Sequence, residues 1–82
     1  MIKILYFAWV RERIGKRSES LETEAKTVAE LIEELRQKEA RYDMAFSDLN
    51  ALCVAVDQNL TNFDHRLANA KEVAFFPPMT GG

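Results

Sequence analysis

Alternating apolar positions mark two β-strands, one at the start of the chain and one in its second half. The first covers residues 2–8 and the second residues 51–56, and both are rich in β-branched or aromatic side chains, as strands commonly are. Successive side chains of a strand point to opposite faces, so every second residue shares the expected core face. Those residues are Ile2, Ile4 and Tyr6 in the first strand and Leu52, Val54 and Val56 in the second.

A helical repeat of apolar positions begins at Thr27 and runs to about Glu39. Thr27 and Glu30 fit a capping box, in which the threonine hydroxyl accepts from the backbone of Glu30 and the glutamate reaches back. The spacing of the apolar residues predicts an amphipathic helix that packs on a sheet. The residues on its apolar face are Val28, Leu31, Ile32 and Leu35.

Shorter elements fill the rest of the chain, and Pro77 and Pro78 stop the last strand because proline has no amide hydrogen to donate. The main elements follow the order strand, strand, helix, strand, short strand, strand. This order predicts an α+β fold, the ubiquitin-like β-grasp, with a mixed sheet packed on one main helix. The shorter elements are helical turns at residues 9–14 and 42–49, strands at 20–24 and 72–76, and a hairpin turn at 57–59.

The length of the chain, 82 residues, allows one domain, which we expect to cover residues 1–78, followed by a mobile tail of residues 79–82. The apolar fraction of 48% and the charged fraction of 29% are typical of a folded soluble domain. No apolar run approaches the ~20 residues of a membrane span, and no signal peptide is recognisable. The single cysteine, Cys53, favours a reducing compartment, so we expect a cytoplasmic protein without a membrane partner.

Side chains that support catalysis, metal binding or nucleic-acid binding are scarce. The net charge is −2, and acidic residues interrupt the one basic stretch, residues 11–17, so no nucleic-acid partner is expected. His65 and Cys53 are the only residues of their types, so no metal site is predicted. We expect Cys53 to be buried and His65 to lie in a solvated loop. No glycine-rich loop precedes a helix, so we expect no cofactor bound by the chain itself.

The C-terminal end is the first feature that suggests a function. Pro77 and Pro78 favour an extended backbone where the chain leaves the sheet. Gly81 and Gly82 lack side chains, so this end fits a channel too narrow for other residues. The alternative is a frayed terminus without function, since such termini are common.

Apolar side chains on the face of the sheet that points away from the core are the second feature that suggests a function. The alternation that turns Tyr6 toward the core turns Phe7 away from it, and Phe76 likewise points away in the last strand. Two outward phenylalanines beside a mobile tail indicate a docking patch. The alternative is that the segment around Trp9 or Leu60 covers one of them.

Both ends of the chain resemble the small subunit of molybdopterin synthase, a family of ubiquitin-like sulfur carriers, and the resemblance spans the whole chain. Its most specific signal is the ending Phe-Pro-Pro-x-x-Gly-Gly. The sequence departs from the family at residues 69–71, where a turn often carries Gly-Asp, and at Met79, where a smaller β-branched residue is usual. The segments that carry the resemblance are residues 2–8, 11–12, 15, 63–67 and 72–82.

The resemblance implies that the carboxylate of Gly82 is the working group. An adenylating enzyme would activate it with Mg-ATP, and a persulfide sulfur would then displace AMP to leave a thiocarboxylate. The tail, which also contains Met79, Thr80 and Gly81, would carry this sulfur into the active site of the molybdopterin synthase large subunit. There, two successive carriers would convert a pyranopterin precursor to the dithiolene of molybdopterin.

The resemblance also implies a division of labour. Phe7, Leu60 and Phe76 would form the apolar surface that docks on the partner, and two small and two large subunits would form a heterotetramer. The chain would donate sulfur without turnover of its own. Other readings remain open at this point: a sulfur carrier for thiazole synthesis, a ubiquitin-like protein modifier, or an interaction module with an inert tail.

Overall fold

The computed structural model describes residues 1–78, which form a five-stranded mixed sheet with helices on one face. The strand order is β2-β1-β5-β3-β4, and only the central β1–β5 pair is parallel. The strands are β1 (Ile2–Tyr6), β2 (Ser18–Leu21), β3 (Cys53–Val56), β4 (Asn59–Thr61) and β5 (Glu72–Phe76). The helices are α1 (Ala8–Ile14), α2 (Val28–Arg36) and α3 (Ala40–Ala45), and a 3₁₀ turn covers Leu49–Ala51.

The core lies between the helices and one face of the sheet, and it contains the side chains that strand alternation and helix spacing select. Ile4, Val73 and Phe75 are fully buried in the two central strands. The ring of Phe75 lies edge-on against that of Phe46, with their centroids 5.0 Å apart. The apolar face of α2, predicted from the sequence, is buried as a whole and consists of Val28, Leu31, Ile32 and Leu35.

Half of the predicted capping box forms at the start of α2. The backbone N–H of Glu30 donates to the hydroxyl of Thr27 over 3.2 Å, as expected. The carboxylate of Glu30, however, accepts from the N–H of Lys26 over 3.3 Å and so reaches one residue beyond the cap. The helix also ends at Arg36, earlier than expected, because Gln37 caps it and the chain turns there into α3.

The second strand begins two residues earlier than predicted and ends at Leu21, not at residue 24. β2 begins at Ser18, and its register pairs Ile4 with Glu19. The Glu19 carboxylate accepts hydrogen bonds from the hydroxyls of Tyr6 and Tyr42, both over 2.7 Å. These long-range bonds fix the register, and no local pattern in the sequence encodes them.

Candidate functional site

Within residues 1–78, one face of the sheet carries no helix, and a row of side chains that is apolar from β1 to β4 crosses it. The register of the strands places the members of this row side by side. All of them have the opposite parity from the buried core residues, so their side chains point away from the helices. We call this the open face, and its central row is Ser18, Leu5, Ala74, Ala55 and Leu60.

A second row lies next to it, at the end where β5 finishes. Cys53 pairs with Phe76 across the β3–β5 ladder. The backbone N–H of Phe7 donates to the carbonyl of Phe75 over 3.1 Å, so Phe7 lies beside the end of β5. The open face thus brings together Phe7 and Phe76, the two phenylalanines that the sequence places outward, next to the point where the chain leaves the sheet.

Phe7 is exposed although its backbone is fixed on both sides. Its carbonyl accepts from the N–H of Val10 over 3.1 Å, and its own N–H is bonded to β5. The next residue, Ala8, has a φ of 52°, in the left-handed region that side chains other than glycine seldom adopt. This turn moves the chain from β1 into α1 and leaves 46% of Phe7 exposed. An exposed aromatic ring on a fixed backbone is a suitable docking anchor, because the backbone loses little conformational entropy on binding.

Leu60 lies at the far edge of the open face and is 74% exposed. It projects from β4, which follows a two-residue turn at Asp57 and Gln58 with φ values of 48° and 72°. Positive φ at both positions is typical of the type I′ turns that join twisted strands. Leu60 therefore does not cover the phenylalanines. Phe76 itself is only partly exposed, which is less than the sequence suggested.

The predicted reacting end lies outside the described residues. Those residues are Met79, Thr80, Gly81 and Gly82, so their predicted role and the boundary between domain and tail remain predictions. The structure describes the chain up to Pro78, which follows Pro77 directly after β5. Because β5 is the central strand, the chain leaves the sheet between its neighbours, close to Phe7.

The remaining candidate residues have no catalytic arrangement in residues 1–78. Cys53 is partly exposed on the open face, not buried as expected, because its side chain has the parity of Ala55 and Phe76. His65 is exposed in its loop, with Nδ1 3.0 Å from the hydroxyl of Thr61. This part of the chain holds no group of three or more His, Cys, Asp or Glu placed to bind a metal. It also has no helix that is long and apolar enough to cross a membrane.

Leu5, Ala55 and Ala74 belong to the open face but were not among the predicted partner-binding residues. The strand alternation that turns Phe7 and Phe76 outward also turns these three outward, and that signal could have found them. Their small or aliphatic side chains widen the apolar surface between Phe7 and Leu60. The surface is therefore continuous across β1, β5, β3 and β4.

The family is established by comparison with known proteins. The chain matches the model of the ThiS family over residues 4–82, and it belongs to this family. Among curated relatives, the molybdopterin synthase sulfur carrier subunit of Escherichia coli (strain K12) is 43% identical over 82 residues, which is 100% of both chains. The subunit of the same name from Haemophilus influenzae is 38% identical, again over 100% of both chains.

Solved structures confirm the β-grasp fold. SAMP1 from Haloferax volcanii superimposes with a TM-score of 0.76 over 99% of this chain and 98% of its own, at 22% identity, and supports the fold alone. The putative molybdopterin converting factor, subunit 1, from Pyrococcus furiosus gives a TM-score of 0.71 at 27% identity, over 95% of this chain and 97% of that one. The resemblance identified from the two ends of the sequence is thus confirmed over the whole chain.

Proposed function

We propose that the chain is a sulfur carrier of molybdenum cofactor biosynthesis and donates sulfur to the pyranopterin precursor of molybdopterin. The observation that carries the proposal is the end-to-end match to a molybdopterin synthase sulfur carrier subunit, at 43% identity with 100% of both chains covered. The open face supports it, since a carrier needs a surface by which successive partners hold it while its terminus reacts. The chain itself binds no cofactor and works in the cytoplasm.

The chemistry starts at the carboxylate of Gly82, which is a poor electrophile until it is activated. A carboxylate oxygen attacks the α-phosphorus of ATP in the adenylating enzyme, and pyrophosphate leaves. A persulfide sulfur on an enzyme then attacks the acyl carbon and displaces AMP. Cleavage of the resulting S–S bond by a thiol leaves the thiocarboxylate on Gly82 and a disulfide on the enzyme. The negatively charged sulfur is then the nucleophile that the large subunit delivers to the precursor.

The partners divide the work. The large subunit of molybdopterin synthase supplies the acid and base groups, and two small and two large subunits form a heterotetramer. Both the large subunit and the adenylating enzyme bind the open face, so they take turns on the carrier. The chain is consumed as a cosubstrate and reloaded, and it has no turnover alone.

Genetic complementation tests this function against its alternatives. In cells that lack their own small subunit, the intact chain restores molybdoenzyme activity and the Gly82-deleted chain does not. Restoration of thiazole synthesis instead, in cells that lack their thiazole sulfur carrier, would identify the chain as the other type of sulfur carrier. Lysine-linked conjugates without any molybdoenzyme activity would identify it as a protein modifier.

Replacement of Leu60 by aspartate tests the open face. Because Leu60 is 74% exposed, the substitution leaves the fold intact, while a charge in an apolar interface costs a few kcal/mol, or about a hundredfold in affinity. Calorimetric titration with the large subunit measures the loss. Asn50→Asp, which adds the same charge at an exposed position in the 3₁₀ turn, is the control and keeps full affinity. Equal affinity of both variants would remove the open face from the interface.

A further inference from the structure

A groove between α1 and α3 shares no residue with the open face. Its volume is about 450 Å³, within the range of roughly 300–1,000 Å³ that is typical of ligand sites. Side chains from both helices and from the segment that follows α3 line it. They are Arg13, Arg41, Asp43, Met44 and Ser47.

Arg13 is held in place on the α1 side of the groove. Its guanidinium carbon lies 4.6 Å from the ring centroid of Trp9, one helical turn earlier. A cation over the face of an indole ring at this distance is attracted by the electrons of the ring. Trp9 is itself partly buried against the core. The positive charge of Arg13 is therefore positioned while its N–H groups remain exposed to solvent.

Arg41 faces the groove from α3, and one of its donors is unused. Its Nη2 donates to Glu39 over 2.9 Å, but its Nε is buried and has no hydrogen-bond partner in residues 1–78. Nη1 lies 3.3 Å from the point where a Cβ would stand on Gly15, so the absence of a side chain at Gly15 makes room for the guanidinium. Because Nε is buried while 39% of the side chain is exposed, a ligand in the groove would meet the terminal nitrogens of Arg41.

Two arginines and one carboxylate among residues 1–78 line the groove. Asp43 accepts from Nε of Arg36 over 2.8 Å, and Arg41 is paired with Glu39 over 2.9 Å, so the positive charge that no ion pair offsets within residues 1–78 is that of Arg13. Beside the two arginines, Met44 is 68% exposed. Methionine is flexible and polarisable, and at a surface it adapts to apolar groups of varied shape.

We propose that this groove binds an acidic peptide segment of a partner protein, in which an apolar side chain stands next to Asp or Glu. The guanidinium groups of Arg13 and Arg41 take the carboxylates, since a guanidinium pairs with a carboxylate through parallel N–H bonds. Met44 packs against the apolar side chain of the peptide, a contact that neither phosphate nor a nucleic-acid backbone would make. The proposal does not depend on sulfur transfer at Gly82, because the groove uses other residues and other chemistry.

Titration of the ¹⁵N-labelled full-length chain with a synthetic peptide, acetyl-Glu-Leu-Glu-Glu-amide, tests this assignment by NMR. The proposal predicts saturable shifts of the Trp9 indole, the Arg13 amide and the Met44 amide, and none at Leu60. The matched peptide acetyl-Gln-Leu-Gln-Gln-amide should bind at least about tenfold more weakly, since hydrogen bonds to charged groups are the stronger ones. Equal binding of the two peptides would overturn the proposal. The same shifts with inorganic phosphate at lower concentration would also overturn it and would indicate a phosphate site.

Two exposed positions in the groove allow variants that keep the fold. Arg13→Gln and Met44→Ser should each weaken the binding of the acidic peptide by about tenfold. Arg66→Gln, which removes an exposed arginine from the loop before β5, should leave its affinity unchanged. If Arg66→Gln weakens binding as much as Arg13→Gln does, the peptide responds to the charge of the whole protein and the groove is not its site.

Discussion

Glu19 is the residue whose environment departs furthest from what the sequence alone suggests. Its side chain is only 11% exposed, and it accepts hydrogen bonds from Tyr6, Tyr42, Lys16 and Lys38. Burial acts to raise the pKa of this carboxyl group, but the bonds from Tyr42, Tyr6 and Lys38 outweigh burial and lower the pKa to about 2. Burial and the same bonds raise the pKa of Tyr6 and that of Tyr42. In the sequence, Glu19 is one of several glutamates in a polar stretch, and nothing local singles it out.

Glu19 makes the stability of the fold depend on pH in the acidic range. A carboxyl group whose pKa falls from an ordinary 4.5 to about 2 on folding stabilises the protein above pH 4.5, and this contribution is lost as the pH falls toward 2. Allowing for its contact with solvent, we expect Glu19→Gln to lower the free energy of unfolding by about 2 kcal/mol at pH 7. Urea unfolding at a series of pH values measures this loss.

The same series tests the mechanism. Glu19→Gln should lose less stability than the parent chain between pH 5 and pH 2, because the group that titrates there is gone. The exposed Glu24→Gln serves as control and should follow the parent chain. A parallel acid dependence of Glu19→Gln and the parent would assign the acid sensitivity to other groups.

The β3–β4 hairpin has one feature that its local sequence predicts and one that it does not. Its turn was predicted from the cluster of polar residues after β3. The further role of Asp57 was not: one of its carboxylate oxygens accepts from the N–H groups of Lys71 and Glu72, over 2.9 and 3.0 Å. These bonds tie the turn to the start of β5, 14 and 15 residues away. Turn chemistry is local and so is visible in the sequence, whereas such a tie becomes visible only in the fold.

Gln58, the second residue of this turn, is a position where glycine should stabilise the protein. Its φ of 72° strains a residue with a Cβ, and relief of that strain exceeds the greater entropy of an unfolded glycine. We expect Gln58→Gly to raise the free energy of unfolding by about 0.5 kcal/mol. Gln37→Gly, at the α2 cap with a φ of −83°, should lower it by a similar amount. Thermal unfolding compares the two variants. A stability change of the same sign in both would contradict the conclusion that the backbone of Gln58 is strained.

At the scale of the whole molecule, the two faces of the sheet have different roles. One face holds the core, and alternation and helix spacing predicted the part of it that comes from β1, β3, β5 and α2. The buried residues of α1, of α3 and its end, and of the loop before β5 were not predicted in this way. The other face carries an apolar row with no helix over it in residues 1–78, and Phe7 and Leu60 stand exposed on it. Outward parity was enough to predict Phe7. The parity of β3 likewise indicated that Cys53 points outward, whereas the partial burial of Phe76 depends on packing between strands, which no single strand encodes.

The groove between α1 and α3 belongs to this scale as well. Arg13 and Arg41 are 28 residues apart in the sequence, and only the packing of α1 on α3 brings them to one cavity. The sequence showed Arg13 as part of a basic stretch, and Arg41 lay between two predicted helical segments. Neither pattern indicates a shared site, so it could not be predicted before the fold was known.

The most direct test of the central claim is the intact mass of the chain after incubation with ATP, an adenylating enzyme and a sulfur donor. A carrier should gain one sulfur in place of one oxygen. The Gly82-deleted chain, treated in the same way, is the control, because oxidation of Met1, Met44 or Met79 changes the mass by nearly the same amount. We predict the exchange in the intact chain and not in the deleted one. An unchanged mass with active enzymes, or the same change in both chains, would contradict the role of Gly82 as the sulfur-bearing end.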